Sequence, residues 1–475
     1  TINSVANINA YAAGIANAGY FDPAKCYAYH FSINEPDRHF FPVSFANNGV
    51  CVSTSTSMRW SGNFLNWAAT QTIDPFRRAL TGGLRVRDTA TETWLEKARH
   101  DGQGGSSIFP MRTISGNGLI TGATPFNGYD SDEETLSSFR TRIHGLGNRM
   151  HFVINNADTS RLTASNATIE SFNPGVHGRN NLRTNRVYEV SIRVRVCDAI
   201  STHAAANGGE AFLEDNCVRY PRDPSLPRSG FKPEGLIQEF SEQLRFSVFG
   251  YLNDSNMLRD GAALRARQKY VGPRRFDAVN NWTSNPNQEW DPNTGVLFPN
   301  PDPADASATR ASNAHHPTIT RSGIINYINQ FGQMTNRNHK SFDPVSEMYY
   351  AALRYIRGLA NVPEYTMLNA GSAAGNFELA DGFPVITDWA DPFQFWCQPT
   401  AILGIGDVYT HRDKNLPGNT ARTDEPAVPP LVSDDTAINV VTETQRVFRM
   451  EGITGSVAEF TGRQNSAYIA GMAFF

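Results

Sequence analysis

Thr400-Ala401-Ile402-Leu403-Gly404-Ile405-Gly406-Asp407 is a short, almost wholly apolar run that ends in Gly-Asp. A strand apolar on both faces belongs at the centre of a parallel sheet covered by helices. A helical pattern stands before it, beginning near Pro344 and running through Met348, Ala351, Ala352, Leu353, Tyr355 and Ile356 to Gly358. Helices alternating with buried strands predict an α/β core. In open sheets of that kind, ligands sit just past the C-terminal ends of the strands. Asp407 is placed there to help hold a hard cation, Mg²⁺ or Ca²⁺, with Asp343 or Ser346 joining it. Each residue also has a plainer reading: Asp407 as a turn carboxylate, and Asp343 as an N-cap before Pro344 at the first helical position.

Working outward, residues 321–475 and 232–254 carry this core, as does the start of the chain at residues 1–83. In the first segment, Phe64, Trp67, Ala68, Ile73, Phe76 and Leu80 fit one helical face, kinked at Pro75 and ended by Gly82-Gly83. Residues 84–231 change texture and are expected to form a β-rich insertion. Its clearest strand is Val187–Val196, where Val190, Ile192, Val194 and Val196 alternate with Glu189, Ser191, Arg193 and Arg195. That alternation predicts one buried and one wet face. Residues 255–320, rich in Asn, Pro and Asp, are expected to form an irregular second insertion.

Composition narrows the function. With 475 residues, 40% hydrophobic, and 29 Phe, 16 Tyr and 7 Trp, the chain can build a sizeable core and is not disordered as a whole. The net charge is −4, and the arginines are scattered rather than gathered. Phosphate recognition needs a denser basic patch, so nucleic acid is excluded as the main partner. No apolar run approaches the ~20 residues a membrane-spanning helix requires. The start lacks the charged and apolar regions of a signal peptide, which fits a mature or trimmed secreted chain.

The cysteines lean towards an oxidising compartment. Cys26 with Cys51, and Cys197 with Cys217, flank turn-rich stretches without metal-site spacing. Each pair can close a loop worth about 3 kcal/mol as a disulfide. Cys397 is left over, pointing to a missing partner or a buried thiol. The competing reading is five reduced, buried cysteines.

Catalytic motifs are missing. No lysine follows a glycine, which rules out a Walker A loop, and neither HExxH nor GxSxG occurs. His315-His316 has no third ligand spaced near it and reads as a solvated loop. Asp130, Asp132, Glu133 and Glu134 lack the glycine of a calcium-binding helix–loop–helix and read as a helix first turn. No residue is assigned a catalytic role.

Several stretches together resemble one family. They are Gly19-Tyr20-Phe21-Asp22-Pro23-Ala24-Lys25-Cys26-Tyr27, Arg59-Trp60-Ser61-Gly62-Asn63-Phe64-Leu65-Asn66-Trp67-Ala68, Arg77-Arg78-Ala79-Leu80-Thr81-Gly82-Gly83, Lys232-Pro233-Glu234-Gly235-Leu236-Ile237-Gln238 and Gly404-Ile405-Gly406-Asp407-Val408. In that order they resemble PilC/PilY proteins of bacterial type IV pili, and the WSGNFLNW stretch is the most specific of them. The resemblance implies a von Willebrand factor A-like domain, a doubly wound sheet, here with large β-rich and irregular insertions. It also implies a metal-ion-dependent adhesion site, in which Asp407 matches the last ligand position. The threonine position of that site falls near Asp343-Pro344-Val345, and no Asp-x-Ser-x-Ser occurs in the chain. The family's first strand and its loop are expected to precede Thr1.

The resemblance further implies export through the periplasm to the pilus tip or cell surface, where the family promotes pilus biogenesis and adhesion. The expected partners are minor pilins on one side and host or abiotic surfaces on the other. The rival reading is a secreted metal-dependent hydrolase using Asp407 and Asp413, which requires a deep pocket of converging acids and a general base.

Overall fold

The computed structural model describes residues 10–54, 56–99, 111–143, 146–155, 162, 168–198, 213–254, 259–277, 279, 281–335, 340, 342–406, 410–420, 425–455, 457 and 465–475. The chain is mixed α/β and divides into two compact units. Unit 1 comprises Thr1–Phe240 with Trp290–Leu297; unit 2 comprises Ser241–Glu289 with Phe298–Phe475. Among the described residues no helix is long and apolar enough to cross a membrane.

Unit 1 is built on the WSGNFLNW stretch. Ser61 ends a short strand, and its Oγ accepts the amide of Phe64 at 3.3 Å, capping the helix Gly62–Ala69. Every residue of that helix is buried. Gly62 is required because a Cβ there would lie 2.3 Å from the Asp22 carbonyl. The two asparagines face the chain's opening loop. Asn63 donates to the carbonyls of Ala13 and Ile15 at 2.8 Å each and accepts the Asn17 amide at 2.8 Å. Asn66 donates to Asn17 O and Phe21 O at 2.9 and 2.7 Å and accepts the Phe21 amide. These bonds satisfy loop backbone that burial would otherwise strand. The expected single kinked helix is two: after a break, Ile73–Thr81 continues and stops at Gly82, whose φ of 84° ends it in the left-handed region.

Two sheets pack on this helix. The first has the order β3-β1-β2-β11-β5-β4: Trp60–Ser61, Lys25–His30, His39–Phe45, Arg193–Val196, Thr93–Glu96 and Arg85–Asp88. The second has the order β6-β7-β8-β10-β9: Arg112–Ser115, Ser138–Arg142, Arg149–Ile154, Val187–Ser191 and Ile169–Ser171. Only β2–β11 and β9–β10 are parallel pairs within these two sheets. Neighbours such as β1–β2, β4–β5 and β6–β7–β8 run antiparallel. Their inner faces share one apolar core around Trp60, with Phe40, Phe64, Phe126, Phe139, Phe152 and Phe172.

The predicted strand 187–196 is real but changes sheet at Ile192, so its first half is β10 and its second β11. The predicted wet face is corrected in consequence, because Ser191 and Arg193 are buried. The Arg193 guanidinium is compensated by Glu96 at 2.5 Å and Glu35 at 3.1 Å. The acids at 130–134 do not open a helix. Asp130 Oδ1 accepts the amides of Asp132 and Glu134 at 2.9 Å each, closing a turn. Cys26 is bonded to Cys51, and Cys197 to Cys217. Cys397 is exposed, not buried.

A further antiparallel pair in unit 1 joins β12 (Cys217–Tyr220) to β13 (Gly230–Pro233). Unit 2 carries two-stranded ribbons, β14–β15 (Phe246–Gly250, Ala263–Lys269) and β16–β17 (Arg274–Phe276, Trp282–Ser284), and helices. Helices Val345–Ile356, Val440–Met450 and Tyr468–Phe474 share a core of Tyr350, Leu416, Val440, Phe448 and Tyr468. Gly471 lets the last two approach closely, since a Cβ there would lie 2.4 Å from Thr444 Oγ1.

The expected buried strand at residues 400–407 is corrected. Residues 400–406 are irregular, with Leu403 74% and Ile405 40% exposed. Hydrophobic content alone did not make a strand: Gly404 and Gly406 raise the cost of ordering an extended segment, and no described strand pairs with it. The doubly wound parallel sheet of a von Willebrand factor A-like domain is accordingly not found among the described residues. Antiparallel neighbours in unit 1 and short ribbons in unit 2 take its place.

Candidate functional site

The predicted ligands Asp343 and Ser346 lie at the start of helix Val345–Ile356 in unit 2, and Asp407 lies outside the described residues. Pro344 occupies the N-cap position, and no side chain caps the helix. Asp343 does not act as a cap; its Oδ1 accepts from His411 Nδ1 at 2.7 Å. Ser346 donates from Oγ to Asp413 Oδ2 at 2.9 Å. The structure therefore engages these two residues with separate partners.

Asp413 is the organising carboxylate. It is buried, and its Oδ2 also accepts from Thr410 Oγ1 at 2.8 Å, while Oδ1 accepts the Ser466 amide at 2.7 Å. Ser466 returns a bond from Oγ to the Asp413 carbonyl at 3.0 Å. Burial pushes the Asp413 carboxyl above its ordinary value, and the bonds from Thr410, Ser346 and Ser466 oppose that shift. With both oxygens committed to neutral donors, Asp413 ties residues 410–413, the Val345–Ile356 helix and the segment before Tyr468–Phe474 together.

One residue further along the helix, Glu347 opens a second group. Asp260, Glu347 and Glu425 each offer one carboxylate oxygen, and these atoms all lie within 4.8 Å of one another. Asn415 lies between two of them: its amide donates to Glu347 Oε1 at 2.8 Å, and its Nδ2 to Asp260 Oδ2 at 2.7 Å. Burial, followed by the charges of Asp260, Asp413 and Glu425, pushes the Glu347 carboxyl well above the usual carboxylate range. Burial and then the charges of Glu347 and Asp260 likewise push up the Tyr365 phenol. Another group, Cys197, Glu214 and Cys217, converges in unit 1. Its two sulfurs are joined in a disulfide and are not thiolate ligands.

Sequence reasoning missed Asp260, Glu347 and Glu425. The available signal was Glu347, which falls on the same helical face as Tyr350, Ala351, Arg354 and Tyr355, all buried. An acid on the core stripe of a helix demands compensation. Asp260 and Glu425 stand in irregular stretches and gave no comparable sign.

Comparison with known proteins places both units. A family model described as PilY1 homolog, small alpha/beta domain, matches residues 8–168. A second, described as PilY1 homolog, second domain, matches residues 284–471. A protein of Xylella fastidiosa (strain Temecula1 / ATCC 700964) named type IV pilus biogenesis factor PilY1 homolog is 47% identical over 494 residues, covering 100% of this chain and 38% of the relative. The chain belongs to the PilY1 family.

A second Xylella fastidiosa protein of the same name is 23% identical, over 94% of this chain and 29% of its own length. The chain thus spans 38% and 29% of these two PilY1 homologues. No solved structure matches it. The first PilY1 family model contains the Asn63/Asn66 clamp, and the second contains Glu347, Asp413 and Glu425 but not Asp260.

Proposed function

We propose that this chain is part of a type IV pilus biogenesis factor that works outside the cytoplasm, at the pilus tip, by binding other proteins rather than by catalysis. The observation that carries the reading is the 47% identity, across the whole chain, to a relative named as such a factor. Two further features support it. The Cys26–Cys51 and Cys197–Cys217 bonds fit an oxidising compartment such as the periplasm or cell exterior. Asp413, the described carboxylate of the rival hydrolase reading, is consumed by three structural hydrogen bonds. In this reading minor pilins are the partners on one side, and a host or abiotic surface is contacted on the other.

Mass spectrometry of pili sheared from the bacterium that makes this chain tests the proposal. The expected result is that its peptides co-purify with the pili, far below the major pilin in amount, and that antibody labelling is confined to fibre ends. Absence from washed pili, with the protein recovered only in the culture fluid, would remove the tip role.

A further inference from the structure

We propose that Asp260, Glu347 and Glu425 form a binding site for one calcium ion inside unit 2. The donors are all oxygen, which selects a hard cation over zinc or copper. Ligands opposite one another around Ca²⁺, at 2.3–2.6 Å from the ion, are about 4.6–5.2 Å apart; around Mg²⁺ the span shrinks to about 4.2 Å. Three carboxylate oxygens that all lie within 4.8 Å of one another are close enough to share one ion of that size.

The independent observation is a set of orphaned polar atoms at the same place. Glu347 is 0% exposed, and its Oε2 has no hydrogen-bond partner. Asn415, also buried, binds Glu347 and Asp260 through its nitrogens and leaves Oδ1 unpartnered. The buried Tyr365 hydroxyl, which feels the charges of Glu347 and Asp260, is unpartnered as well. Buried acceptors without donors are costly, and several around one point call for a shared occupant. Water can supply protons to such atoms but leaves the repulsion between three carboxylates in place. A divalent cation satisfies the oxygens and cancels the charge. The ammonium of Lys340 donates to the Arg259 carbonyl at 2.6 Å. Glu347 is fixed by its helix, Asp260 precedes strand β15, and Glu425 follows in a loop. A bound ion would therefore pin three distant segments of unit 2 together.

The chain, stripped with a calcium chelator and dialysed, is titrated with CaCl₂ by calorimetry and followed by thermal unfolding. The expected result is one equivalent of saturable binding and a calcium-dependent rise in Tm. Glu347→Gln and Glu425→Gln are each expected to weaken binding about 100-fold, while the exposed Glu451→Gln leaves it unchanged. Glu425 is half-buried, so its variant keeps the test decisive if Glu347→Gln does not fold. No stoichiometric binding, or binding unaltered in both variants, would overturn the site. Binding of MgCl₂ as tightly as CaCl₂ would overturn the choice of ion.

Discussion

Replacing Arg265 with methionine is expected to destabilise unit 2 by about 4 kcal/mol, near the upper limit for a single substitution. Arg265 lies on β15 and is 0% exposed. Its guanidinium donates to the carbonyls of Gly250 at 3.3 Å, Ala380 at 2.9 Å and Pro384 at 3.2 Å, and also to that of Tyr251. It stands over the Tyr327 ring at 5.5 Å. Hydrogen bonds from a charged donor are worth about 1.5–3 kcal/mol each, and every carbonyl left behind in the core adds a desolvation penalty. Methionine fills much of the volume, so the loss isolates the hydrogen bonds rather than a cavity. Lysine fails as well, because one ammonium cannot reproduce the planar fork. Chemical denaturation with tryptophan fluorescence measures the change. Arg446→Ala provides the contrast: Arg446 meets Glu443 at 2.8 Å on an exposed helix face, and its loss is expected to cost under about 0.5 kcal/mol.

Trp60→Ala is expected to cost unit 1 about 3–5 kcal/mol. Trp60 is fully enclosed at the junction of both sheets and the Gly62–Ala69 helix. Its ring meets Phe40 edge-on at 6.0 Å, Phe126 at 5.8 Å, Phe152 at 5.7 Å and Phe172 at 6.0 Å. Truncation leaves a void lined by rigid aromatic rings, which collapse poorly, so both the transfer and the cavity contributions apply. Trp60→Phe keeps most of the contacts and is expected to cost less than half as much. Thermal unfolding of the two variants side by side separates these contributions. Equal, small losses would mean that the core repacks around position 60.

Much of unit 1 was legible in the sequence because its signals are local. The alternation at 187–196 marks strands, and the apolar spacing from Phe64 to Leu80 marks helix, since side-chain periodicity follows from backbone geometry; in Ile73–Thr81, however, the buried residues are Asp74, Arg77 and Thr81, and Phe76 is exposed. The switch of sheet at Ile192 left no trace, because only that one residue separates β10 from β11. Burial of Arg193 was equally hidden: its partners Glu35 and Glu96 are remote in sequence. The apolar run at 400–406 misled for the opposite reason. Its composition is that of a buried strand, but strand formation needs a neighbour to take its hydrogen bonds, and composition cannot supply one. The carboxylate group of unit 2 escaped because Asp260, Glu347 and Glu425 meet only through tertiary packing. Asp343 and Ser346, the residues the sequence did single out, stand four residues and one residue before Glu347.

The resemblance carried by WSGNFLNW has a structural explanation. Trp60 centres the core, Ser61 caps the helix, Gly62 permits close approach to Asp22, and Asn63 and Asn66 hold the opening loop. Its specificity as a sequence mark comes from folding demands on five neighbouring positions. The proposed role at the pilus rests on similarity to the named relatives.

The central claim, that this chain serves type IV pilus biogenesis, is tested most directly by counting surface pili. The gene that encodes the chain is deleted in its own bacterium, and fibres are counted by electron microscopy. The account predicts loss of surface pili, restored by the wild-type gene and not by the Trp60→Ala gene. Pili in normal number on the deleted strain, with no second copy of the gene present, would contradict it.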